Sequence, residues 1–438
     1  MRFSLRVVAE ATGGTLHGDD AGFDAVVIDS RRAAPGTLFV ALAGEHVDGH
    51  AYAERACAAG SAGALASRPV DVPHVLVDDV VAGLGDLARW HRGRLTARVV
   101  GVTGSAGKTS TKDLLAAVLA AGGPTIAPPG SYNNDIGAPL TVLRADEATR
   151  HLVVEMGARA KGDVARLCAI ARPHTAVVLN VGSAHLGEFG SREAIADAKG
   201  ELPEAASDLA VLNADDPLVM AMRSRAPAAV RTFGAHGDVR AEGIELDAHG
   251  RPAFRLVADE GATPVRMLLV GAHQVPNALA AATVGLAEGI PLAVVGAALN
   301  RARPASRWRM EVTERADGVT VVNDAYNANP ESMRAALDAL AALDATRKVA
   351  ALGPMAELGE DADAAHLEVA AYARAKGIEV VAVAAPAYQA GRDAVDVMTA
   401  TELLSDLLRP GDAVLVKASR AAGLERLADA LVRQDRPS

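Results

Sequence analysis

Cysteines, aromatic residues and long apolar runs are all scarce in this sequence. The scarcity of cysteines and of long apolar runs excludes whole classes of protein. The two cysteines, Cys57 and Cys168, lie too far apart to form a metal knuckle or a disulfide framework, which favours a reducing compartment. No run reaches the roughly 18 uninterrupted apolar residues of a membrane-spanning helix, and the N-terminus lacks the apolar core of a signal peptide. We therefore predict a cytoplasmic protein with no membrane span.

Positive charge is also in deficit, because 44 Lys and Arg residues stand against 54 Asp and Glu residues, for a net charge of −10. Proteins that bind nucleic acid usually carry a basic domain or a dense Lys/Arg stripe, so the charge balance argues against nucleic acid as the main partner. Small acidic ligands remain possible, since backbone amides and single lysines bind phosphate whatever the net charge. Hydrophobic residues make up 50% and aromatic residues only 3% of the chain, so Ala, Val and Leu must fill its core.

Three segments of different pattern divide the 438 residues. Residues 1–94 alternate short β-like runs with Ala-rich helical stretches, which predicts a small α/β domain. Residues 95–307 and 308–438 alternate apolar strands with helices, so each predicts a mostly parallel sheet with ligands at the carboxyl ends of its strands. Residues 237–268 differ, because alternating strands with Gly turns predict an antiparallel flap on the central domain. The predicted fold class is α/β in three domains, and the third is Rossmann-like.

The strongest local signal is RVVGVTGSAGKTSTK, in which a β-like run, a glycine turn and a helix follow one another. Backbone amides of such a turn hold phosphate oxygens, Lys108 can reach the terminal phosphates, and the Thr109 hydroxyl can bind magnesium. Val102 occupies the first glycine position of the usual motif, so this is a variant phosphate loop. The central domain is therefore predicted to be P-loop ATPase-like.

Polar residues also end two other predicted strands of the central domain. Glu155 ends HLVVE, and Asn180 followed by His185 ends the next strand. Both strand ends would open towards the phosphate loop, so Glu155 and His185 are candidates to complete the metal coordination of bound ATP. Each residue taken alone could equally be a cap or a surface residue.

Other candidates have an ordinary structural explanation as well. Lys199 fits a solvated helix lysine, and Asn277 fits a helix cap. Asn133 and Asn134 lie in SYNNDIGAP, which is rich in turn formers, although adjacent side-chain amides also suit a polar substrate.

The order of these motifs resembles the Mur ligase family over all three predicted domains. The resemblance is carried by TGSAGKTSTK, SYNNDIGAP, VVEMGA, NVGSAHLGEFGS, IADAKGE, NADDP, GAHQVPNALAA, DAYNANPESM and VKASR, of which DAYNANPESM discriminates best. The N-terminal VIDSRRAAPGTLFVALAGEHVDGH looks like the family's uridine-nucleotide domain. The resemblance implies an ATP-dependent ligase of peptidoglycan precursor synthesis, and specifically the addition of D-alanyl-D-alanine to UDP-N-acetylmuramoyl-tripeptide. It implies an acyl-phosphate intermediate, ATP and Mg²⁺, small-molecule partners, and a monomer.

The resemblance also assigns roles to individual residues of this chain. Residues with a catalytic role would be Lys108, Glu155, His185 and Lys199. Metal ligands would be Thr109, Glu155, His185 and Lys199, the last as a carbamate formed with CO2. ATP would be bound by Gly104, Ser105, Ala106, Gly107, Lys108, Thr109, Ser110, Asn277, Arg309, Asp324 and Tyr326. The other substrates would be bound by Ser30, Arg31, Asn133, Asn134, Asn327, Asn329, Lys417 and Ser419.

Two residues depart from the family pattern. Gln274 stands where the family usually has Asn, and Ala418 stands where it has Gly in a KGSR segment. The first change keeps an amide and alters only its reach, whereas the added methyl of the second restricts the loop.

Two other readings remain open at the level of sequence. A sister ligase that adds the third residue of the peptide typically carries a DNPR-like motif in its last domain, where this chain has DAYNANP; folylpolyglutamate synthases should lack the uridine-domain segments. A nucleotide-dependent switch normally has a strand ending in Asp and a water-positioning group, whereas the strand here ends in Glu155. Whether the tripeptide ends in meso-diaminopimelate or L-lysine is equally open.

Overall fold

Three mostly parallel sheets follow one another along the chain. The computed structural model describes residues 3–44, 47–182 and 186–433. None of the helices in these ranges is long and apolar enough to cross a membrane. The architecture is α/β, as predicted.

The first sheet has the strand order β2-β7-β6-β5-β4 and is parallel except for the β2–β7 pair. A two-stranded antiparallel ribbon of β1 and β3 lies beside it. The strands are β1 (Phe3–Ser4), β2 (Thr15–His17), β3 (Gly22–Phe23), β4 (Ala25–Val27), β5 (Thr37–Val40), β6 (Gly63–Ala66) and β7 (His74–Leu76). The helices are α1 (Leu5–Thr12), α2 (Ala53–Ala58) and α3 (Val80–Arg92). Asp79 begins α3 by accepting hydrogen bonds from two first-turn amides, as a helix N-cap does.

The central sheet is entirely parallel, with the order β13-β12-β11-β8-β10-β9. Its strands are β8 (Arg98–Thr103), β9 (Thr125–Ile126), β10 (His151–Glu155), β11 (Thr175–Val178), β12 (Leu209–Asn213) and β13 (Ala229–Phe233). Its helices are α4 (Lys108–Leu119), α5 (Gly137–Val142), α6 (Asp163–Ala171), α7 (Leu186–Phe189), α8 (Arg192–Ala205), α9 (Pro217–Ala221), α10 (Gln274–Ala287) and α11 (Leu292–Arg301). The near-continuous Val and Ala runs of β8, β10 and β11 are buried because helices cover both faces of the sheet.

One predicted strand boundary is wrong. β11 ends at Val178, two residues before the predicted end at Asn180. Asn180 lies in the following loop because both its side chain and its carbonyl bind the glycine loop after β8.

The predicted antiparallel flap is confirmed. Strands β14 (Arg240–Leu246), β15 (Pro252–Ala258) and β16 (Gly261–Arg266) pair antiparallel in that order. The turn between β14 and β15 reaches the last part of the chain, where the Asp344 amide donates to the Ala248 carbonyl at 2.9 Å. The flap therefore connects the central sheet with the C-terminal one.

The C-terminal sheet has the order β17-β18-β22-β19-β20-β21 and is parallel except for the β17–β18 pair. Its strands are β17 (Glu311–Glu314), β18 (Thr320–Asn323), β19 (Lys348–Leu352), β20 (Glu379–Val383), β21 (Asp393–Ala394) and β22 (Ala413–Lys417). Its helices are α12 (Pro330–Ala342), α13 (Ala362–Ala375), α14 (Val397–Leu407) and α15 (Glu425–Arg433). Loops after β18, β19 and β22 share the carboxyl edge of this sheet, where doubly wound folds bind ligands.

Hydrophobic clusters cross the predicted domain limits. One buried cluster contains residues from both sides of position 94, including Leu87 and Val99. Another joins Val270 of the central part to the C-terminal core. The limits after 94 and after 307 therefore stay predictions, although each of the three segments has its own sheet.

Candidate functional site

The glycine loop connects β8 to α4 and supplies backbone amides. Gly107 has φ +81°, and α4 begins directly after it without a side-chain cap. The first-turn amides of a helix have no partner inside the helix, so they are available to a ligand in the cleft that residues 105–110 line. A helix N-terminus of this kind favours a bound phosphate.

Asn180 fixes the shape of the glycine loop from the loop that follows β11. Its Oδ1 accepts from the Ala106 amide at 2.9 Å, its Nδ2 donates to the Ala106 carbonyl at 3.1 Å, and its own carbonyl accepts from the Ser105 amide at 3.1 Å. The sequence pattern indicates Asn180 only as a strand end. Its position after a buried parallel strand next to the loop was the signal for this role.

Gly107 offers a test of the loop, because two constraints act on it. A Cβ at this position would lie 2.6 Å from Asn277 Oδ1, and φ is in the left-handed region. Gly162 has φ +94° with no atom within 4 Å of its Cβ position, so it isolates the effect of strain. We expect Gly162→Ala to lose about 1–2 kcal/mol of stability, measured by urea unfolding, and to keep its affinity for ATP. Gly107→Ala should also weaken ATP binding, measured by calorimetry, at least tenfold; equal ATP affinities in the two variants would contradict a role in ATP binding.

Glu155 ends β10 in a fully buried position beside the loop. Its Oε1 accepts from Ser131 Oγ at 2.7 Å and from Asn133 Nδ2 at 2.8 Å. Its Oε2 is buried without any hydrogen-bond partner. A buried carboxylate oxygen left in this state is costly unless a cation binds it, so the arrangement fits a divalent metal. Sequence reasoning missed Ser131, which the structure brings to Glu155 from the SYNN loop.

Buried Lys108 lies near this carboxylate, and buried Lys199 lies near Lys108. Lys108 donates to the Gly104 carbonyl at 2.7 Å; burial lowers its pKa, and the Glu155 charge opposes that shift. Lys199, in α8, is also buried. Burial, with a smaller contribution from the Lys108 charge, puts the pKa of Lys199 well below the usual range. The solvated-lysine alternative is therefore excluded for Lys199, and its amine is easily held neutral.

The remaining predicted metal ligand, His185, lies outside the described residues. Within the described ranges no group of three or more His, Cys, Asp and Glu side chains is placed to hold a metal ion. Thr109 is buried at the start of α4. Its Oγ1 accepts from Arg309 Nη2 at 3.2 Å.

Arg309 joins the central part to the C-terminal part. Its guanidinium lies 4.1 Å from the centre of the Tyr326 ring. The flanking residues Trp308 and Met310 have φ of 59° and 50°, which is unfavourable for residues with a side chain. Such strain is concentrated at functional sites and hinges, and here it directs Arg309 towards the glycine loop.

Behind the loop, amide side chains explain one departure from the family pattern. Asn277 Oδ1 accepts from Thr111 Oγ1 at 3.2 Å, and Asn277 Nδ2 donates to Gln274 Oε1 at 3.0 Å. Gln274 thus orients Asn277 against Gly107. Asn277 is buried in α10, and its side chain is not at the surface of the cleft.

The other departure, Ala418, is accommodated by a glycine. A Cβ at Gly353 would lie only 2.7 Å from the Ala418 Cβ, so Gly353 leaves the space that the methyl fills. Next to it, buried Lys417 donates to Asp324 Oδ2 at 2.5 Å and to the Asn327 carbonyl at 2.8 Å. Burial lowers the pKa of Lys417, against the opposing Asp324 charge. Lys417 and Asp324 are therefore buried behind the C-terminal wall of the cleft and do not line it.

One cleft of about 880 Å³ gathers many of the predicted residues. It brings together the loop residues 105–110 with Asn133, Asn134, Arg309, Tyr326, Asn327, Asn329 and Ser419. Some of these side chains have structural partners as well. Asn329 caps α12 through the Ser332 amide, Asn134 Oδ1 accepts from the Gly137 amide at 2.9 Å, and Ser419 Oγ accepts from the Ala356 amide at 2.8 Å.

Ser30 and Arg31 are also absent from the lining of this cleft. They lie in a short 3₁₀ turn of the first sheet, Ser30–Arg32. Arg31 is exposed and pairs with Asp29 at 2.8 Å, which lowers the pKa of Asp29 to about 2.

Comparisons with known proteins show which family this chain resembles. Family profiles match the Mur ligase middle domain over residues 102–285, the Mur ligase glutamate ligase domain over residues 308–420 and the Mur ligase family catalytic domain over residues 23–119.

Full-length relatives carry one common name. The UDP-N-acetylmuramoyl-tripeptide--D-alanyl-D-alanine ligase of Mycobacterium bovis is 46% identical, over 99% of this chain and 98% of its own length. The enzyme of the same name from Escherichia coli is 36% identical, over 98% of each chain.

Solved structures show the same similarity. MurF from Acinetobacter baumannii superposes with a TM-score of 0.89 at 31% identity, over 99% of both chains. The MurF ligase of Thermotoga maritima in complex with ADP superposes with a TM-score of 0.81 at 31% identity, over 94% of this chain and 97% of that one. The chain therefore belongs to the Mur ligase family, in its branch of UDP-N-acetylmuramoyl-tripeptide--D-alanyl-D-alanine ligases.

Proposed function

We propose that the protein uses ATP to join D-alanyl-D-alanine to UDP-N-acetylmuramoyl-tripeptide. The tripeptide carboxylate attacks the γ-phosphate, giving an acyl phosphate and ADP. The dipeptide amine then attacks the acyl carbon, the C–O bond to phosphate breaks, and the amide, phosphate and one proton are released. The observation that carries the proposal is the glycine loop beside Glu155, whose Oε2 is buried without a hydrogen-bond partner and whose charge acts on buried Lys108.

Neither step needs a protein nucleophile, so the chain contributes position and charge. We assign the ATP phosphates to residues 104–110, where Lys108 neutralises charge on the transferred group. Arg309 would contact the nucleotide from the junction, close to Thr109. Asn277 and the Asp324–Tyr326 edge would complete the nucleotide site, with Asn277 acting through the shape of the loop.

We assign magnesium to Thr109, Glu155, His185 and Lys199. The unpartnered Oε2 of Glu155 and the Thr109 hydroxyl are oxygen donors of the type that Mg²⁺ prefers. When bound, the ion neutralises phosphate charge and orients the transferred group. Ser131 and Asn133 orient the carboxylate that would hold it.

The other substrates would meet in the cleft from two sides. We place the uridine part at Ser30 and Arg31 and the muramoyl-peptide part at Asn133 and Asn134. Asn327, Asn329 and Ser419 would face the dipeptide, while Lys417 supports their loop. We propose that the segments 1–94, 95–307 and 308–438 are the domains of a protein that acts as a monomer. Two free cysteines fit the reducing environment of the cytoplasm, where we place it.

Product formation tests the proposal directly. We expect phosphate release and a UDP-N-acetylmuramoyl-pentapeptide mass only when ATP, Mg²⁺, UDP-tripeptide and D-alanyl-D-alanine are all present. Omitting each component in turn, and offering a single amino acid as acceptor, are the controls. Phosphate release without the dipeptide would favour a nucleotide switch, and a faster reaction with another acceptor would favour a sister ligase.

A further inference from the structure

The phosphate end of the cleft is rich in positive charge. Lys108 and Arg309 lie at the glycine loop, while Glu155 is the nearby buried carboxylate. This excess suits a polyphosphate, but it opposes the approach of an acceptor whose amine is charged. An α-amino group has a pKa near 8, so the dipeptide arrives mainly as an ammonium. A carboxylate in the cleft wall would hold that ammonium in place.

Two of the carboxylates that line the described part of the cleft are occupied. Asp163 accepts from the Arg159 and Ala160 amides, each at 2.8 Å, and pairs with Arg166 at 2.7 Å. Asp135 pairs with the same Arg166 at 3.0 Å. Asp163 therefore fixes the loop before α6, and Asp135 pairs with a residue of α6.

Glu357 differs in its position and in its backbone. It lies in the loop after β19, on the C-terminal wall of the cleft. Its φ is +63°, a left-handed conformation that costs a residue with a side chain about 1–2 kcal/mol. The preceding residue is fixed, since the Ala356 amide donates to Ser419 Oγ. Strain kept in a cleft wall by such bonds points to a functional position.

Glu357 already binds a cation across the cleft. Its Oε1 lies 3.3 Å from Arg159 Nη2 of the central part, and the two side chains are 34% and 71% exposed. An ion pair this exposed contributes little to stability, about 0–1 kcal/mol. The contact with Arg159 can therefore be given up at low cost.

Building on the proposed function, we propose that Glu357 binds the ammonium group of the dipeptide acceptor, displacing Arg159. Glu357 is then an acceptor-binding residue, and its pairing with Arg159 marks where the ammonium sits. The competing interpretation is a latch, in which the pair only holds the two walls together. The two interpretations differ in what happens when each partner is changed.

Steady-state kinetics of Glu357→Gln and Arg159→Gln separate them. We expect Glu357→Gln to raise KM for D-alanyl-D-alanine at least tenfold, with KM for ATP and UDP-tripeptide unchanged, because Gln keeps the shape and the backbone strain but loses the charge. Arg159→Gln should leave KM for the dipeptide unchanged or lower it, since a competitor is removed. Equal losses in both variants, spread over kcat and all three KM values, would establish a latch and overturn the proposal.

A second measurement removes the charge from the ligand instead. N-propionyl-D-alanine lacks only the amine, and its inhibition constant can be compared with KM for the dipeptide. The wild-type protein should prefer the dipeptide, and Glu357→Gln should lose most of that preference; an unchanged preference overturns the proposal. Wild-type protein that forms no pentapeptide refutes the proposed function, whereas an active wild type with unaffected Glu357→Gln refutes this inference alone.

Discussion

Glu155→Gln should abolish most of the ligase activity while leaving the unliganded protein as stable as the wild type or more so. We expect kcat to fall by about 10²–10³-fold. We also expect the stabilisation by ATP with Mg²⁺, measured as a shift in Tm, to be lost, while any shift with ATP alone remains. The second readout does not depend on turnover.

The geometry confines the effect of this substitution to one oxygen of the carboxylate. Oε1 of Glu155 accepts from Ser131 and Asn133, and a glutamine oxygen at the same place can accept both bonds. The change therefore falls on Oε2, which has no partner. Removing this buried charge relieves its desolvation cost but also loses its attraction to Lys108, and the two effects oppose each other, so the unliganded protein should not be destabilised. A metal, by contrast, loses a ligand.

Glu201→Gln is the matched control. Glu201 is also buried, but its two oxygens accept from the Gly162 amide at 2.7 Å and the Ala165 amide at 2.9 Å. An amide nitrogen cannot accept, so this variant should lose about 1–3 kcal/mol of stability and keep its response to Mg²⁺. If Glu155→Gln were destabilised like Glu201→Gln and still responded to Mg²⁺, Glu155 would be a structural residue.

Local patterns in the sequence predicted the parts of this site that local structure determines. The glycine loop, Lys108 and Glu155 lie at the ends of apolar runs, and a buried parallel strand places its carboxyl end at a common edge. The flap was predictable because its period of two and its Gly turns are local as well. The boundary error at Asn180 arises because Leu179, which already lies in the loop, continues the apolar run of β11.

Contacts between distant residues could not be predicted in this way. Nothing local shows that Ser131 binds Glu155, that Gln274 orients Asn277, or that Gly353 leaves room for Ala418. Lys199 looked like a solvated lysine because burial depends on what packs against a helix. The family resemblance, and not the local pattern, distinguishes Lys199 from a solvated lysine.

Lys199→Ala should remove most of the activity, and the activity that remains should not depend on CO2. Carbamate formation consumes a neutral amine and CO2 and releases a proton, and the new carboxylate would join the metal ligands. Burial lowers the pKa of Lys199 well below the usual range, so the amine is neutral at a lower pH than an ordinary lysine. As pH falls towards that pKa, the amine becomes protonated, so the CO2 requirement should rise. We expect wild-type activity to fall several-fold in CO2-depleted buffer and to return with bicarbonate.

Nuclear magnetic resonance with ¹³C-labelled bicarbonate reports the carbamate itself and should show one signal that Lys199→Ala lacks. Lys112→Met is the matched control, because Lys112 is equally buried, but its Nζ is bound by Asp113, the Pro128 carbonyl and Ser306 Oγ. A nitrogen held in these three contacts is not available to attack CO2. This control should lose stability and keep both the signal and the CO2 response of its remaining activity. A signal that persists in Lys199→Ala, or a wild type indifferent to CO2, would mean that Lys199 acts as an unmodified amine.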